Sequence, residues 1–184
     1  MLLAGITLNA HNDGFAEFEF IKNQGQWHNN IAYKVQLPEG NIYLEQGRLK
    51  FHLADMSVIS QIHVGTFKGN TKNAKIKNHV YNANFIGCNT NCEIVQEDIQ
   101  DNYYNYYLGN DKTKWSRETP VSHAVRYKEL YNGVDLLIFS KDGGIKYEFH
   151  CKNYTASQQI KIEYEGHDNL KLKDGSFTVF TSLG

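Results

Sequence analysis

The chain has 184 residues, enough for one ordinary domain with a substantial core or for two small ones. Its 19 Lys and Arg against 20 Asp and Glu leave a formal charge of −1, so it has no basic field to displace counterions from nucleic acid. No apolar run approaches the ~18–20 residues a helix needs to span a bilayer, so a membrane-crossing helix is not expected either.

The first ten residues, MLLAGITLNA, have two readings. Residues 2–8 form a short apolar run that ends in small and polar residues, like the rear of a secretory signal ahead of its cleavage site, although the basic front part is missing. The same run also reads as an ordinary first strand. The polar break His11-Asn12-Asp13-Gly14 favours a signal remnant over residues 1–10, with the β-rich part over 11–184.

Beyond that point, alternation of apolar and polar residues dominates. In residues 41–53, Ile42 and Leu44, then Leu49, Phe51 and Leu53, are apolar on either side of Gln46-Gly47, which predicts a hairpin. Residues 59–67, 79–86 and 92–95 read as strands in the same way, while 57–62 is ambiguous between strand and helix. The lysines of 68–77 read as a solvated loop. Residues 99–108 are expected to form a short helix. Residues 134–139 and 145–149 predict a second hairpin across Lys141-Asp142-Gly143-Gly144. Residues 160–164, 170–172 and 177–180 follow as strands, the last two joined by Lys173-Asp174-Gly175. Pro38 and Pro120 fall at expected strand boundaries, where a missing N–H costs nothing.

The predicted fold class is therefore mainly β, an antiparallel β-sandwich-like domain. The absence of a ~20–50-residue repeat argues against a propeller or solenoid. The strand at 178–181 has only Ser182-Leu183-Gly184 behind it, so the chain reads as the N-terminal fragment of something longer.

Cys88 and Cys92 bracket Asn89-Thr90-Asn91, a predicted turn. In an exported protein a disulfide is expected there, with modest stabilisation because the closed loop is so short. A zinc site is not expected, since His63 and His79 are too scattered to supply a second pair, and Cys151 reads as a small buried hydrophobe. No other metal or cofactor motif is present: the Asp-Gly turns carry too few oxygens for calcium, and no phosphate-binding glycine loop or nucleophile elbow occurs. Glu163 and Glu165 would share a strand face about 6–7 Å apart, a spacing compatible with glycoside cleavage. A solvated strand face is the plainer reading. Asp135 is better placed to cap the turn after Asn132-Gly133 or to pair with Arg126 than to act as a base.

The aromatic residues offer more. Residues 102–136 hold six tyrosines and a tryptophan. Tyr103, Tyr104, Tyr106 and Tyr107 are interrupted only by Asn105, so they cannot all face inward on one strand or helix; some are exposed or covered by another domain. With Trp115 they could stack on sugar rings, presenting flat apolar faces with polar edges. For Trp115, and for Trp27 earlier in the chain, core packing is the plainer expectation.

Four blocks occur in order: FIKNQGQW at 20–27, the Tyr-rich 103–115, VRY at 125–127 with LYNGVDL at 130–136, and IEYEG at 162–166. Together they resemble the N-terminal domain of unknown function carried by large secreted proteins of Bacteroidota, and the resemblance runs from Phe18 to Gly184. It implies export to the cell surface or medium. It also implies a parent protein with β-propeller-like repeats, PKD modules and a C-terminal sorting domain for type IX secretion or gliding motility. It brings no catalytic residues. The chain departs from the pattern at Asn132, where proline usually precedes the glycine, and at Tyr154-Thr155-Ala156-Ser157, where a Gly-Ala-Asp-Pro-like turn is usual. The resulting expectation is a non-catalytic, exported structural or adhesive module. Its expected partners are other domains of the same longer chain and an extracellular glycan or surface protein. A glycan-binding module is the alternative, and a glycoside hydrolase or peptidase domain the third reading.

Overall fold

A computed structural model describes residues 2–6, 17–173 and 175–183. In chain order its strands are β1 (Leu2–Ile6), β2 (Phe20–Lys22), β3 (Ile31–Leu37), β4 (Gly40–Glu45), β5 (Arg48–Ala54), β6 (Asn78–Phe85), β7 (Glu93–Tyr106), β8 (Ser116–Tyr131), β9 (Val134–Lys141), β10 (Gly144–Cys151), β11 (Ile162–Glu165), β12 (Asn169–Lys173) and β13 (Ser176–Phe180). Two short helices, α1 (Ser57–His63) and α2 (Tyr154–Ser157), interrupt them. The described pairings are antiparallel. The predicted mainly β, sandwich-like class is the class observed.

Hydrogen-bonded neighbours run β1-β10-β9-β8-β2-β3-β4-β5-β6-β11, with β7 added beside β8 and a separate β12–β13 hairpin. The long strand β8 organises this path. Its residues 124–127 and 131 pair with β9, whereas Ser122 and Val121 pair with β2. One edge of β8 thus changes partner near His123 while the other edge follows β7. At this point the sheet curls over, and its two halves face each other. Phe85 of β6 packs edge-on against Phe149 of β10, with ring centroids 6.4 Å apart. Tyr147 on β10 and Tyr164 on β11 line the same narrow gap between the halves.

Alternation explains the core that fills the curl, because every second strand residue points to the same face. Tyr33, Val35 and Leu37 of β3, Ile42 and Leu44 of β4, Leu49 and Phe51 of β5, and Tyr81, Ala83 and Phe85 of β6 are buried from one side. Val125 and Tyr127 of β8, Val134, Leu136 and Ile138 of β9, and Ile145, Tyr147 and Phe149 of β10 meet them from the other. Tyr127 is fully buried, and its hydroxyl donates to the Glu45 carbonyl at 3.1 Å, tying β8 to the end of β4. Burial drives its phenol pKa well up.

Both predicted hairpins form, with tight turns at Gln46-Gly47 and Asp142-Gly143. Gly40 opens β4 at φ +146°, where an added Cβ would lie 2.0 Å from the His52 carbonyl oxygen, so the backbones of β4 and β5 meet there as only glycine permits.

Three expectations are corrected. Residues 59–67 do not form a strand. Val58, Ile59 and Ile62 suit a helical stripe as well as an alternating one, the Asp55 carboxylate accepts from the Ser57 amide at 3.0 Å, and α1 results, followed by Gly65 at φ +72°. Residues 99–108 are not a helix; through Tyr106 they continue β7, whose β-favouring tyrosines pair with β8. Pro120 lies inside β8 rather than at its boundary. It faces Tyr103 beside the register shift between Ile99 and Tyr103, so its missing N–H falls where the ladder is already irregular.

The opening run, read above as a signal remnant or a first strand, contributes β1 against β10 over Leu2–Ile6. The expected cleavage region at 9–10, the polar break at 11–14, Asp174 of the last turn and Gly184 lie outside the described residues.

Candidate functional site

The outer half of the β7–β8 ribbon carries the Tyr-rich block. Here β7 has passed the core, and the burial pattern of residues 101–105 is exposed throughout. Tyr103, Tyr104 and Tyr107 are 55%, 41% and 53% exposed, and Tyr106 is half-buried. The rings of Tyr104, Tyr106 and Tyr107 fall into two groups. In one, Trp27 stands edge-on to Tyr106 at 5.3 Å, Tyr104 lies 6.2 Å from Tyr106, and the Lys34 ammonium sits 5.4 Å from the Trp27 ring centre. In the other, Tyr107 meets Trp115 edge-on at 5.4 Å, with Lys112 over Trp115 and Arg117 over Tyr107.

Local hydrogen bonds fix both groups. Glu19, just before β2, accepts from the Tyr104 hydroxyl and from the Asn102 side-chain amide, each at 2.6 Å. That bond, reinforced by burial, pushes the Tyr104 phenol up to about 12, so it stays a neutral donor at physiological pH. The Asp111 carboxylate accepts from the Thr113 amide at 3.1 Å, shaping the turn before Trp115, and the indole N–H donates to the Gly109 carbonyl at 3.1 Å. Neither indole joins the core, contrary to the core-packing expectation: Trp27 and Trp115 are half-buried parts of this outer surface, held by edge contacts to tyrosines. The arrangement offers fixed aromatic faces with cations beside them, suited to stacking with a polar, ring-shaped ligand.

The two cysteines lie together near the β4–β5 turn as free thiols, Cys88 half-buried and Cys92 buried. Cys92 donates weakly to the Gln46 side-chain oxygen at 3.5 Å, while the Gln46 amide donates to the Cys92 carbonyl at 3.1 Å. Burial, aided by the neighbouring Cys88, pushes the Cys92 thiol up to about 11. Cys151 is half-buried and packs against the core.

Glu163 and Glu165 are exposed on one face of β11, with the Asn84 amide donating to Glu165 at 3.3 Å. Asp135 lies 3.7 Å from Arg126, the pairing foreseen for it, and accepts from the Glu129 amide at 2.8 Å; the amide of Gly133 in the turn donates to the Glu129 carboxylate instead. Two hollows are found elsewhere. One is a shallow groove lined by Gln61, Thr66, Phe67, Lys68 and Gly69; the other is a narrow apolar gap inside the curl that includes Phe51, Phe85, Tyr147 and Tyr164. Neither is lined by the three carboxylates.

Sequence reasoning missed one constellation. Among the described residues, Glu17, Asp98 and His123 form one group whose donor atoms all lie within 4.8 Å of one another. They are far apart in sequence and share no spacing motif; the β7–β8 pairing sets Asp98 opposite His123, and the β2–β8 pairing brings the segment that carries Glu17 beside them.

No curated protein and no solved structure is significantly similar to the chain. Residues 20–184 match the family described as "Domain of unknown function (DUF7948)", a match that begins at Phe20, the first core residue of β2, and covers most of the chain. The chain belongs to that family.

Proposed function

We propose that this domain is a non-catalytic, exported module of a larger cell-surface protein, serving as a structural or adhesive unit. The observation that carries this reading is the outer β7–β8 surface: exposed tyrosines, two half-buried indoles and three cations mounted on the part of the ribbon that extends beyond the buried core. A hydrolase built on Glu163, Glu165 or Asp135 finds less support, because those carboxylates lie on strand faces or in structural contacts. The four sequence blocks support a parent among the large secreted proteins of Bacteroidota, exported by the type IX route. Its further domains would be propeller-like repeats and PKD modules. Protease shaving of intact native cells tests the location: release of peptides from this domain is expected, and complete protection in intact but not lysed cells overturns the reading.

A second reading makes the same surface a glycan-binding one, through Tyr103, Tyr104, Tyr106, Tyr107 and Trp115. The paired rings and neighbouring cations favour it, since stacking faces flanked by hydrogen-bonding edges suit sugar rings. A glycan array probed with the purified domain decides it. Export further implies that Cys88 and Cys92 are oxidised to a disulfide in the native host. Mass spectrometry without reductant reports this, and two free thiols argue against the bridge.

A further inference from the structure

We propose that Glu17, Asp98 and His123 form a binding site for a divalent first-row transition ion of the Zn2+ type, placed where β8 changes partner from β9 to β2. Three separate segments supply the donors: the stretch before β2, the irregular middle of β7, and the changeover point of β8. The His123 Nδ1 lies 3.0 Å from Glu17 Oε2 and 3.5 Å from Asp98 Oδ2. A metal about 2.1 Å from each donor places neighbouring donors about 3.0 Å apart in an octahedron and about 3.4 Å apart in a tetrahedron. The shorter separation is near the octahedral edge and the longer near the tetrahedral one, and the Glu17 and Asp98 oxygens lie within 4.8 Å of each other, so small side-chain shifts bring all three donors onto one ion.

A plain ion-pair reading accounts for the group less well. The single Nδ1–H of His123 can serve one carboxylate well, yet two converge on the same nitrogen, and two like charges held that close repel. A cation completes the arrangement by replacing the proton and neutralising both acids. Asp98 is also oriented from outside the triad: the Gln100 side-chain amide donates to Asp98 Oδ1 at 3.1 Å, leaving Oδ2 to face the imidazole. Such an outer partner is typical of a ligating carboxylate. An imidazole with two carboxylates favours transition ions over Ca2+ and Mg2+, which prefer oxygen donors alone. Glu17 and Asp98 are exposed and His123 half-buried, so water or an exogenous ligand can fill the remaining positions. Bound there, the ion would fasten the segment before β2 to the bend of the β7–β8 ribbon.

The test is calorimetric titration of Zn2+ into the purified full chain, freed of metal by EDTA and desalted. Each variant is also melted without metal to verify its fold. One Zn2+ per chain is expected, with affinity at least tenfold lower in Asp98→Asn, His123→Gln and Glu17→Gln. Asparagine tolerates the φ of +54° at position 98, so that variant removes charge while keeping the backbone. Glu17 lies outside the strands, so its variant reports binding even if a strand variant misfolds. A Cys88→Ser, Cys92→Ser double variant should bind as the wild type does. Loss of binding in that variant alone overturns the proposal by assigning the ion to the thiols. No binding at millimolar Zn2+, unchanged binding in the three cluster variants, or tighter binding of Ca2+ than of Zn2+ also overturns it.

Discussion

Tyrosine occupies two regions of this domain under opposite conditions. On the inner face of the curl, Tyr33, Tyr81, Tyr127, Tyr131 and Tyr147 are buried, and hydroxyls reach across to backbone carbonyls: Tyr127 to Glu45 at 3.1 Å and Tyr131 to Lys161 at 3.0 Å. On the outer ribbon, Tyr103, Tyr104 and Tyr107 leave much of their rings in solvent, and Tyr104 and Tyr107 touch mainly ring edges, a cation and the Glu19 carboxylate. The inner tyrosines close one half of the sheet on the other. The outer ones do not join the two halves, so a small stability contribution is expected of them although their exposed aromatic area is large. That asymmetry separates tyrosines packed into the fold from tyrosines whose rings stay open to solvent.

The largest expected effect breaks the comparison from the inside. Tyr127→Ala removes a fully buried ring and should cost about 3–5 kcal/mol by chemical denaturation. Tyr127→Phe keeps the ring and loses only the bond to the Glu45 carbonyl, so about 1–2 kcal/mol is expected. If alanine here cost no more than alanine at Tyr103, the division into inner and outer tyrosines would fail. Gly40→Ala sharpens the same point through the backbone. A methyl 2.0 Å from the His52 carbonyl oxygen, at a positive φ, forces β4 and β5 apart and should cost about 2–4 kcal/mol. An unchanged melting temperature would contradict the close approach of the two strands.

A smaller effect lies where β7 leaves the core. Arg126 hydrogen-bonds through Nε and Nη2 to the Glu97 carboxylate and so holds its pKa below the ordinary value. A depressed carboxyl pKa stabilises the fold above the unfolded value of about 4.3, and that contribution is lost as pH falls through the lower folded value. Because Glu97 is partly exposed and screened, about 0.5–1 kcal/mol is expected. Glu97→Gln should flatten the stability profile below pH 4.5 relative to wild type; parallel acid profiles for the two proteins would dismiss the pair as a stabilising contact.

The inner region was more legible in sequence than the outer one, for a physical reason. Alternation reports which face of a strand is buried, and it located Ile42, Leu44, Leu49 and Phe51 about the Gln46-Gly47 turn. It carries no information where neither face is buried, which is why residues 99–108 read as a helix although tertiary pairing with β8 makes them a strand through Tyr106. Trp27 and Trp115 were misplaced for a related reason. Their size argued for the core, but their positions are set by contacts to Tyr106 and Tyr107 that no local pattern encodes. Exposure of the tyrosines themselves was legible, because four in five positions exceed what one face can bury. The Glu17, Asp98 and His123 group was invisible, since it depends on the long-range pairing of β8 with both β7 and β2.

The smallest stability effect is expected at the outer ribbon, and it is the most informative about function. Tyr103→Ala removes a ring that is 55% exposed and should change stability by no more than about 0.5 kcal/mol. The Tyr104→Ala, Tyr106→Ala double variant gives up the Glu19 hydrogen bond and the edge contact with Trp27, so about 1 kcal/mol is expected there. Should the wild type bind a glycan on an array, that double variant should lose most of the signal while its melting curve stays cooperative, because the Phe20, Tyr127 and Phe149 core is untouched. Binding that persists in a folded double variant would move the site away from this end of the ribbon, leaving the Tyr107–Trp115 pair with Lys112 and Arg117 as the next place to substitute. A double variant that unfolds like Tyr127→Ala would carry the opposite lesson. The outer tyrosines would then belong to the scaffold, and the contrast between the two regions would collapse.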